Sequence, residues 1–259
     1  MYGDLRRSFQ MTGRVEQYLL ESIRKQGAIH LTLLDPEKVT RSTAGALVKA
    51  IDKSGTAAIM VGGSTAVSVY HTDEIISAIR KRTRLPVIIF PNDLAGVSRE
   101  ADAIFFMSLM NSLNPYYITH AQALGAPLVK RYGLEAIPMG YVIVGDRGAA
   151  AAFVGQVNPI PFDKPSLAVI YGMAAEFMGK RFFYLEAGSG VERPVSPEMV
   201  AAVSKNMDIP LVVGGGIRTP RVARQVVKAG ARVIVTGTLV EKASPEALRR
   251  VVRGIKKFH

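Results

Sequence analysis

The sequence contains no cysteine and no tryptophan. Without thiols there is no disulfide, no thiolate nucleophile and no cysteine-bound zinc or iron–sulfur centre. Long apolar runs are missing too. No uninterrupted stretch approaches the roughly 20 residues that a membrane-spanning helix requires. The opening residues, with Asp4, Arg6 and Arg7, lack the apolar core of a secretory signal, so a soluble, cytoplasmic protein is expected. Acidic groups are scarce, 21 against 33 Lys and Arg, giving a formal net charge of +12. That balance asks for an anionic partner: nucleic acid, an acidic membrane surface or small phosphorylated substrates. The basic runs Arg80-Lys81-Arg82, Arg249-Arg250 and Lys256-Lys257 fall at helix ends, where cations complement the dipole. With no interleaved aromatics and no reading module they do not make a nucleic-acid site. His30, His71, His120 and His259 show no ligand spacing and read as core or surface histidines.

The chain has 259 residues, 48% of them hydrophobic. Such a length suits two ordinary domains or one α/β barrel of about 250 residues. Short β-branched runs decide between them: Ile29–Leu34, Ala57–Val61, Pro86–Phe90, Ala103–Met107, Glu135–Val144, Phe182–Glu186, Pro210–Val213 and Arg232–Thr236. Segments of helical spacing alternate with them, near Thr40–Ser54, Thr72–Thr83, Pro115–Leu124, Ser166–Gly179, Ser196–Met207, Thr219–Ala229 and Pro245–Phe258, and a further helix, Gly13–Gln26, precedes the first strand. Eight βα units predict a single TIM-type (β/α)8 barrel over residues 1–259, with 1–12 as a tail, rather than an open doubly wound sheet. Two stretches break the pattern. The connection Pro91–Asp102 is twelve residues long, enough for about one helical turn, so the third helix is expected to be missing or vestigial. Gly145–Pro165 is a long Gly- and Pro-containing insertion, and insertions of this kind are usually functional lids or disordered.

In such barrels the chemistry sits at the C-terminal strand ends. The seventh strand runs into Gly214-Gly215-Gly216-Ile217-Arg218 and the eighth into Gly237-Thr238-Leu239-Val240-Glu241. Glycines let the backbone approach a ligand, and free N–H groups there favour a phosphate. The sixth strand ends in Tyr184-Leu185-Glu186-Ala187-Gly188-Ser189-Gly190, and the pleat sends Tyr184 and Glu186 to one side. Glu186 reads as a ligand for substrate hydroxyls or a general base; the alternative is a buried carboxylate paired with a barrel cation. The first two strands end in Asp35-Pro36 and Gly62-Gly63-Ser64. Asp35 and Ser64 offer hard oxygens of the kind Mg²⁺ takes beside substrate phosphates and water, while Asp35 alone also suits a turn before Pro36.

Taken together, these strand ends resemble the geranylgeranylglyceryl phosphate synthases of archaea, with the bacterial heptaprenylglyceryl phosphate synthases as relatives. The match runs through Leu34-Asp35-Pro36, Gly62-Gly63-Ser64, Tyr184 to Gly190, Gly214 to Arg218 and Gly237 to Glu241, and extends to Phe106–Ser112 and Val154–Pro161. The resemblance implies transfer of a geranylgeranyl group from its diphosphate to the 3-hydroxyl of sn-glycerol 1-phosphate, the first ether bond of archaeal membrane phospholipids. It implies Mg²⁺ on Asp35 and Ser64, with Asp35, Tyr184 and Glu186 as catalytic groups. It further implies a glycerol 1-phosphate site made of Tyr184, Leu185, Glu186, Ala187, Gly188, Ser189, Gly190, Gly215, Gly216, Gly237 and Thr238. A homo-oligomer, hexamer or dimer, is expected, with peripheral contact to anionic lipid and no nucleic acid. Many members carry Lys two residues before the Asp, where this chain has Leu33. Asp146-Arg147, Lys164 and Arg218 are the candidates to replace it. The small residues Ala168, Gly172, Ala174 and Ala175 either leave room for a prenyl tail or serve close helix packing. Two rival readings share the barrel: a prenyltransferase with another chain length or phosphorylated acceptor, such as a glycerate, and a sugar-phosphate isomerase or lyase.

Overall fold

The structure, a computed structural model, describes residues 12–63, 69–145, 150–239 and 244–255. The elements follow in the order α1 (Arg14–Gln26), β1 (Ile29–Leu34), α2 (Arg41–Ser54), β2 (Ala58–Val61), α3 (Val69–Arg80), β3 (Val87–Ile89), β4 (Ala103–Leu109), α4 (Ala121–Tyr132), β5 (Glu135–Ile143), α5 (Ala150–Val154), α6 (Pro165–Phe177), β6 (Phe182–Glu186), α7 (Pro197–Ser204), β7 (Leu211–Gly214), α8 (Pro220–Lys228), β8 (Val233–Thr236) and α9 (Pro245–Ile255). Each strand pairs in parallel with the next, and β8 returns to β1 in the register Ile29 with Val233 to Thr32 with Thr236, closing an eight-stranded barrel.

Alternation along the strands sorts the side chains into two cores. Ile29, Leu31, Met60, Ile88, Phe105, Met139, Phe182 and Val212 fill the barrel, and Val15 and Leu19 of α1 join them, so α1 closes its N-terminal end. The Glu135 carboxylate accepts from the free N–H groups of Val15 and Glu16 at 2.7 Å, which anchors the first turn of α1 to the start of β5. Leu34, Ile59, Ile104, Leu185 and Val213 point outward against the helices. The helix starts are written locally: the side chains of Thr40, Ser196 and Thr219 accept from the backbone N–H three residues on. His30 faces outward and is fully buried, its ring nitrogens bonded to Thr56 at 2.8 Å and Thr236 at 2.9 Å.

Between β3 and β4 there is only a single 3-10 turn, Leu94–Gly96, capped by the Asp93 side chain. The third helix is thus missing, as the shortness of the connection predicts, and this turn lies over Ile89 and Ile104, which stay buried. The next helix exceeds its expected range: a π-helical turn, Tyr116–His120, leads into α4, which runs on to Tyr132 through Pro127. Gly125 and Pro127 are poor helix residues just past the expected end, yet Gly125 is where α4 meets Leu94 in the tertiary packing, which overrides propensity.

The insertion after β5 is a packed segment over its described part. Val157 and Ile160 are buried, and bridges pair Ser112 with Val157 and Val144 with Ile160. Asn111 bonds the carbonyls of Ile143 and Asn158 through its amide, and Ser112 Oγ donates to Gly155 O. These two residues of the Phe106–Ser112 stretch therefore fasten the insertion to the barrel rim. The small residues of α6 do not border a groove. Gly172 faces Met207, Val203 and Phe183, and Gly140 of β5 leaves room for Ala175; the pattern means close packing of α6 on the barrel and α7.

Candidate active site

At the C-terminal mouth, Tyr184 and Glu186 project inward from β6, as the pleat requires. Tyr184 Oη donates to Glu186 Oε2 at 2.6 Å, and Gly188 N donates to Oε1 at 2.7 Å. Both side chains are buried. Burial pushes the Glu186 carboxyl above its ordinary range, against the opposing pull of these two hydrogen bonds. Tyr184 and Tyr141 are held well above the usual phenol value, first by burial and then by the Glu186 carboxylate. Among the described residues no cation pairs with Glu186. Over the described residues the carboxylate is held by two hydrogen bonds and not by a barrel cation.

The glycines beside this pair are needed for space. A Cβ on Gly215, whose φ is +79°, would lie 2.7 Å from Glu186 Oε1. Gly188, Gly190, Gly215 and Gly216 all have positive φ, a conformation that L side chains rarely adopt. With Ser189, Gly237 and Thr238 they line one end of a cavity. Arg218 closes that end, its guanidinium donating to the carbonyls of Gly190 and Val191 at 2.8 and 3.1 Å. Leu185 and Ala187 belong to the same string but face outward into the helical layer. They supply spacing and backbone rather than side-chain contact.

On the opposite side of the mouth, Asp35 receives Glu37 N on Oδ1 at 3.1 Å and pairs with Lys38 Nζ through Oδ2 at 3.1 Å. Gly63 leaves room for it, since a Cβ there would lie 2.7 Å from Asp35 Oδ1. Ser64 lies outside the described residues, as do Asp146 and Arg147. Lys164 pairs with Asp163 and is not among the residues bordering the cavity, whereas Lys38, Arg218 and Leu33 are. Lys38 was not anticipated from the sequence; its signal was the three-residue spacing from Asp35.

The cavity does not stop at the mouth. From the glycine-rich end it passes Phe90, Tyr141 and Tyr184 and continues over the outer face of β4, between the Leu94–Gly96 turn and α4. There the walls are Leu94, Val97, Ile104, Phe106, Gly125 and Val129. This apolar arm occupies the place a regular helix after β3 would fill. Gln122 braces it, donating to Met107 O at 2.5 Å and Tyr117 O at 3.2 Å. Among the described residues no group of three His, Asp or Glu is arranged to hold a metal by itself.

The arrangement thus has an anion seat, a buried hydrogen-bonded carboxylate, a second carboxylate across the mouth and a long apolar arm. The PcrB family model matches residues 21–255. A geranylgeranylglyceryl phosphate synthase of Thermofilum pendens is 51% identical over 249 residues, covering 95% of this chain and 97% of that protein. The enzyme of the same name from Thermococcus gammatolerans is 52% identical over 231 residues, 89% of this chain and 91% of that one. The crystal structure of (S)-3-O-geranylgeranylglyceryl phosphate synthase from Thermoplasma acidophilum, in complex with sn-glycerol-1-phosphate, superposes with a TM-score of 0.90 at 40% identity, covering 96% of this chain and all of the other. On this breadth of match, the chain belongs to the PcrB family, the family of the geranylgeranylglyceryl phosphate synthases.

Proposed function

We propose that this protein is a prenyltransferase that joins the geranylgeranyl group of its diphosphate to the 3-hydroxyl of sn-glycerol 1-phosphate, releasing diphosphate. The single observation that carries the reading is the continuity of the cavity, which links a glycine-lined anion seat beside Glu186 to an apolar arm outside the barrel wall. A polyol phosphate and a long hydrocarbon fit its two ends, and the relatives' shared name and the bound sn-glycerol-1-phosphate of one of them support that assignment. A sugar-phosphate isomerase or lyase has no use for the apolar arm. At about 0.8 kcal/mol per buried methylene, each isoprene unit placed there contributes roughly 3–4 kcal/mol before ordering costs.

An allylic diphosphate departs with carbocation character, so the protein must hold the leaving group, align the hydroxyl and accept a proton. Glu186 is the acceptor: its carboxylate is buried, oriented by Tyr184 and Gly188, and next to the anion seat. The backbone of Gly188–Gly190, Gly215, Gly216, Gly237 and Thr238 holds the glycerol phosphate, and Lys38 and Arg218 supply positive charge at the mouth. Mg²⁺ fits Asp35, because magnesium takes only one or two protein oxygens and completes its shell from substrate phosphates and water; the Asp35 carboxylate borders the cavity and would exchange its pairing with Lys38 for the metal. When bound, it would neutralise the departing diphosphate.

We further read the protein as a homo-oligomer, because α6 and the residue that ends it expose an apolar stripe: Leu167, Ile170, Phe177 and Met178 are 40%, 58%, 81% and 61% exposed. Among the described residues no helix is long and apolar enough to cross a membrane.

The test is incubation with Mg²⁺, sn-glycerol 1-phosphate and a series of prenyl diphosphates, with product masses recorded. The expected product is the geranylgeranyl ether; preference for another chain length or for glycerate would reassign the substrate, and no diphosphate release would overturn the reading. Asp35→Ala is expected to remove Mg²⁺-dependent turnover while the barrel stays folded.

A further inference from the structure

Phe90, Tyr141 and Tyr184 form a triangle of aromatic rings where the polar and apolar ends of the cavity meet. Their centroids are 5.4, 5.7 and 5.2 Å apart around the triangle, with two edge-to-face contacts and one tilted one. All three border the cavity. Tyr141 and Tyr184 face each other in the β5–β6 register and are 5% and 1% exposed. Phe90 is only half-buried, so it is the ring with surface left to give to a ligand. It follows directly on β3, at the edge of the gap where the helix is absent.

The backbone holds Phe90 firmly. Its N–H donates to Val61 O at 2.8 Å, and its carbonyl packs so closely on Gly62 that any Cβ there would collide with it. Gly62 makes room for Phe90 as Gly63 does for Asp35. The Gly-Gly pair after β2 thus sets an aromatic ring and a carboxylate side by side on the mouth.

We propose that Phe90 is a catalytic residue, its ring face stabilising the positive charge that develops on the allylic carbon, with Tyr141 and Tyr184 as positioning residues that hold the ring. The inference rests on the prenyltransferase reading. In the step, the C1–oxygen bond to diphosphate breaks and its electron pair leaves with the diphosphate. The 3-hydroxyl oxygen of glycerol 1-phosphate supplies the pair for the new C1–oxygen bond. The hydroxyl proton passes to the Glu186 carboxylate and from there to solvent. Between the breaking and the making of these bonds the carbon is cationic, and an aromatic face within about 6 Å attracts it by its quadrupole. Glu186 also lies at this junction, bonded to Tyr184, but a carboxylate in contact with the cation would trap it as an ester, which a hydrocarbon ring does not.

The experiment replaces Phe90 with 4-fluoro-, 3,5-difluoro-, 3,4,5-trifluoro- and pentafluorophenylalanine, which keep the ring's shape while stripping its negative face. Single-turnover rates of diphosphate release are read with geranylgeranyl diphosphate and glycerol 1-phosphate, so product release does not mask the step. The rate is expected to fall progressively with each fluorine, reaching about 30-fold at full substitution, with little change in KM for either substrate. Phe90→Leu should fall in the same range, since it retains bulk without a π face. A flat series, or changes confined to KM, overturns the proposal and leaves Phe90 as a wall residue. If the unmodified protein forms no ether, the prenyltransferase reading fails first and the aromatic role falls with it.

Discussion

Glu186 carries the sharpest chemical consequence of any single residue. Its folded carboxyl titrates above the ordinary glutamate range because it is buried, and the hydrogen bonds from Tyr184 and Gly188 pull the other way. A base must be ionised, so kcat is expected to rise with pH along a limb set by this raised value. Glu186→Gln should remove that limb and cost roughly 10²–10⁴-fold in kcat. Tyr184→Phe deletes the bond that favours the carboxylate, and should move the limb to higher pH without abolishing turnover. Stability runs with the opposite sign. The native state binds the Glu186 proton more tightly than the unfolded chain does, so this residue lowers stability as pH rises through its folded value. Glu186→Gln is therefore expected to melt higher at neutral pH. A variant with lost activity, an unchanged pH limb and a lower Tm would contradict the assigned role.

Among the elements, the two candidate seats for the tail make opposite predictions. Gly172 of α6 touches Met207 and Val203 across the α6–α7 contact. Gly172→Leu should cost about 1–3 kcal/mol by overpacking and leave donor chain-length preference unchanged. Val129 of α4 borders the apolar arm, so Val129→Phe should shift preference toward shorter prenyl diphosphates, read from product masses, with little effect on the KM for glycerol 1-phosphate. The same contrast explains what could be read from the chain. Strand ends such as Tyr184–Gly190 and Gly214–Arg218 combine special backbone conformations with charge, and both leave marks in sequence. The arm leaves none: Leu94, Val97, Phe106 and Val129 look like ordinary core residues, and the space among them exists because a helix is absent. Only the shortness of Pro91–Asp102 hinted at it. Phe90 also ends a strand, but a phenylalanine there reads first as packing. The pairing of Lys38 with Asp35 depends on how the chain turns after Pro36, which spacing alone does not dictate.

At the scale of the whole molecule, the excess of 33 cations over 21 anions suits two phosphorylated substrates converging on one mouth, although Lys38 and Arg218 are only a small part of it. The exposed stripe on α6 belongs to this scale too. Light scattering is expected to give a mass of more than one chain, and Phe177→Glu, at a position 81% exposed, should reduce it without unfolding the barrel; a monomeric wild type would refute the oligomer. The missing helix between β3 and β4 has a wider consequence. The apolar arm is built from the β3–β4 connection, the outer face of β4 and α4, whereas the anion seat and the carboxylates stand on the rims of β1 and β6 to β8, with Phe90 at the end of β3 where the two meet. Measuring a lipid and holding its polar partner are thus encoded in different stretches of the chain, which meet at Phe90. A lineage whose bilayer becomes thicker or thinner can retune the length of hydrocarbon it accepts while the machinery that makes the ether stays untouched.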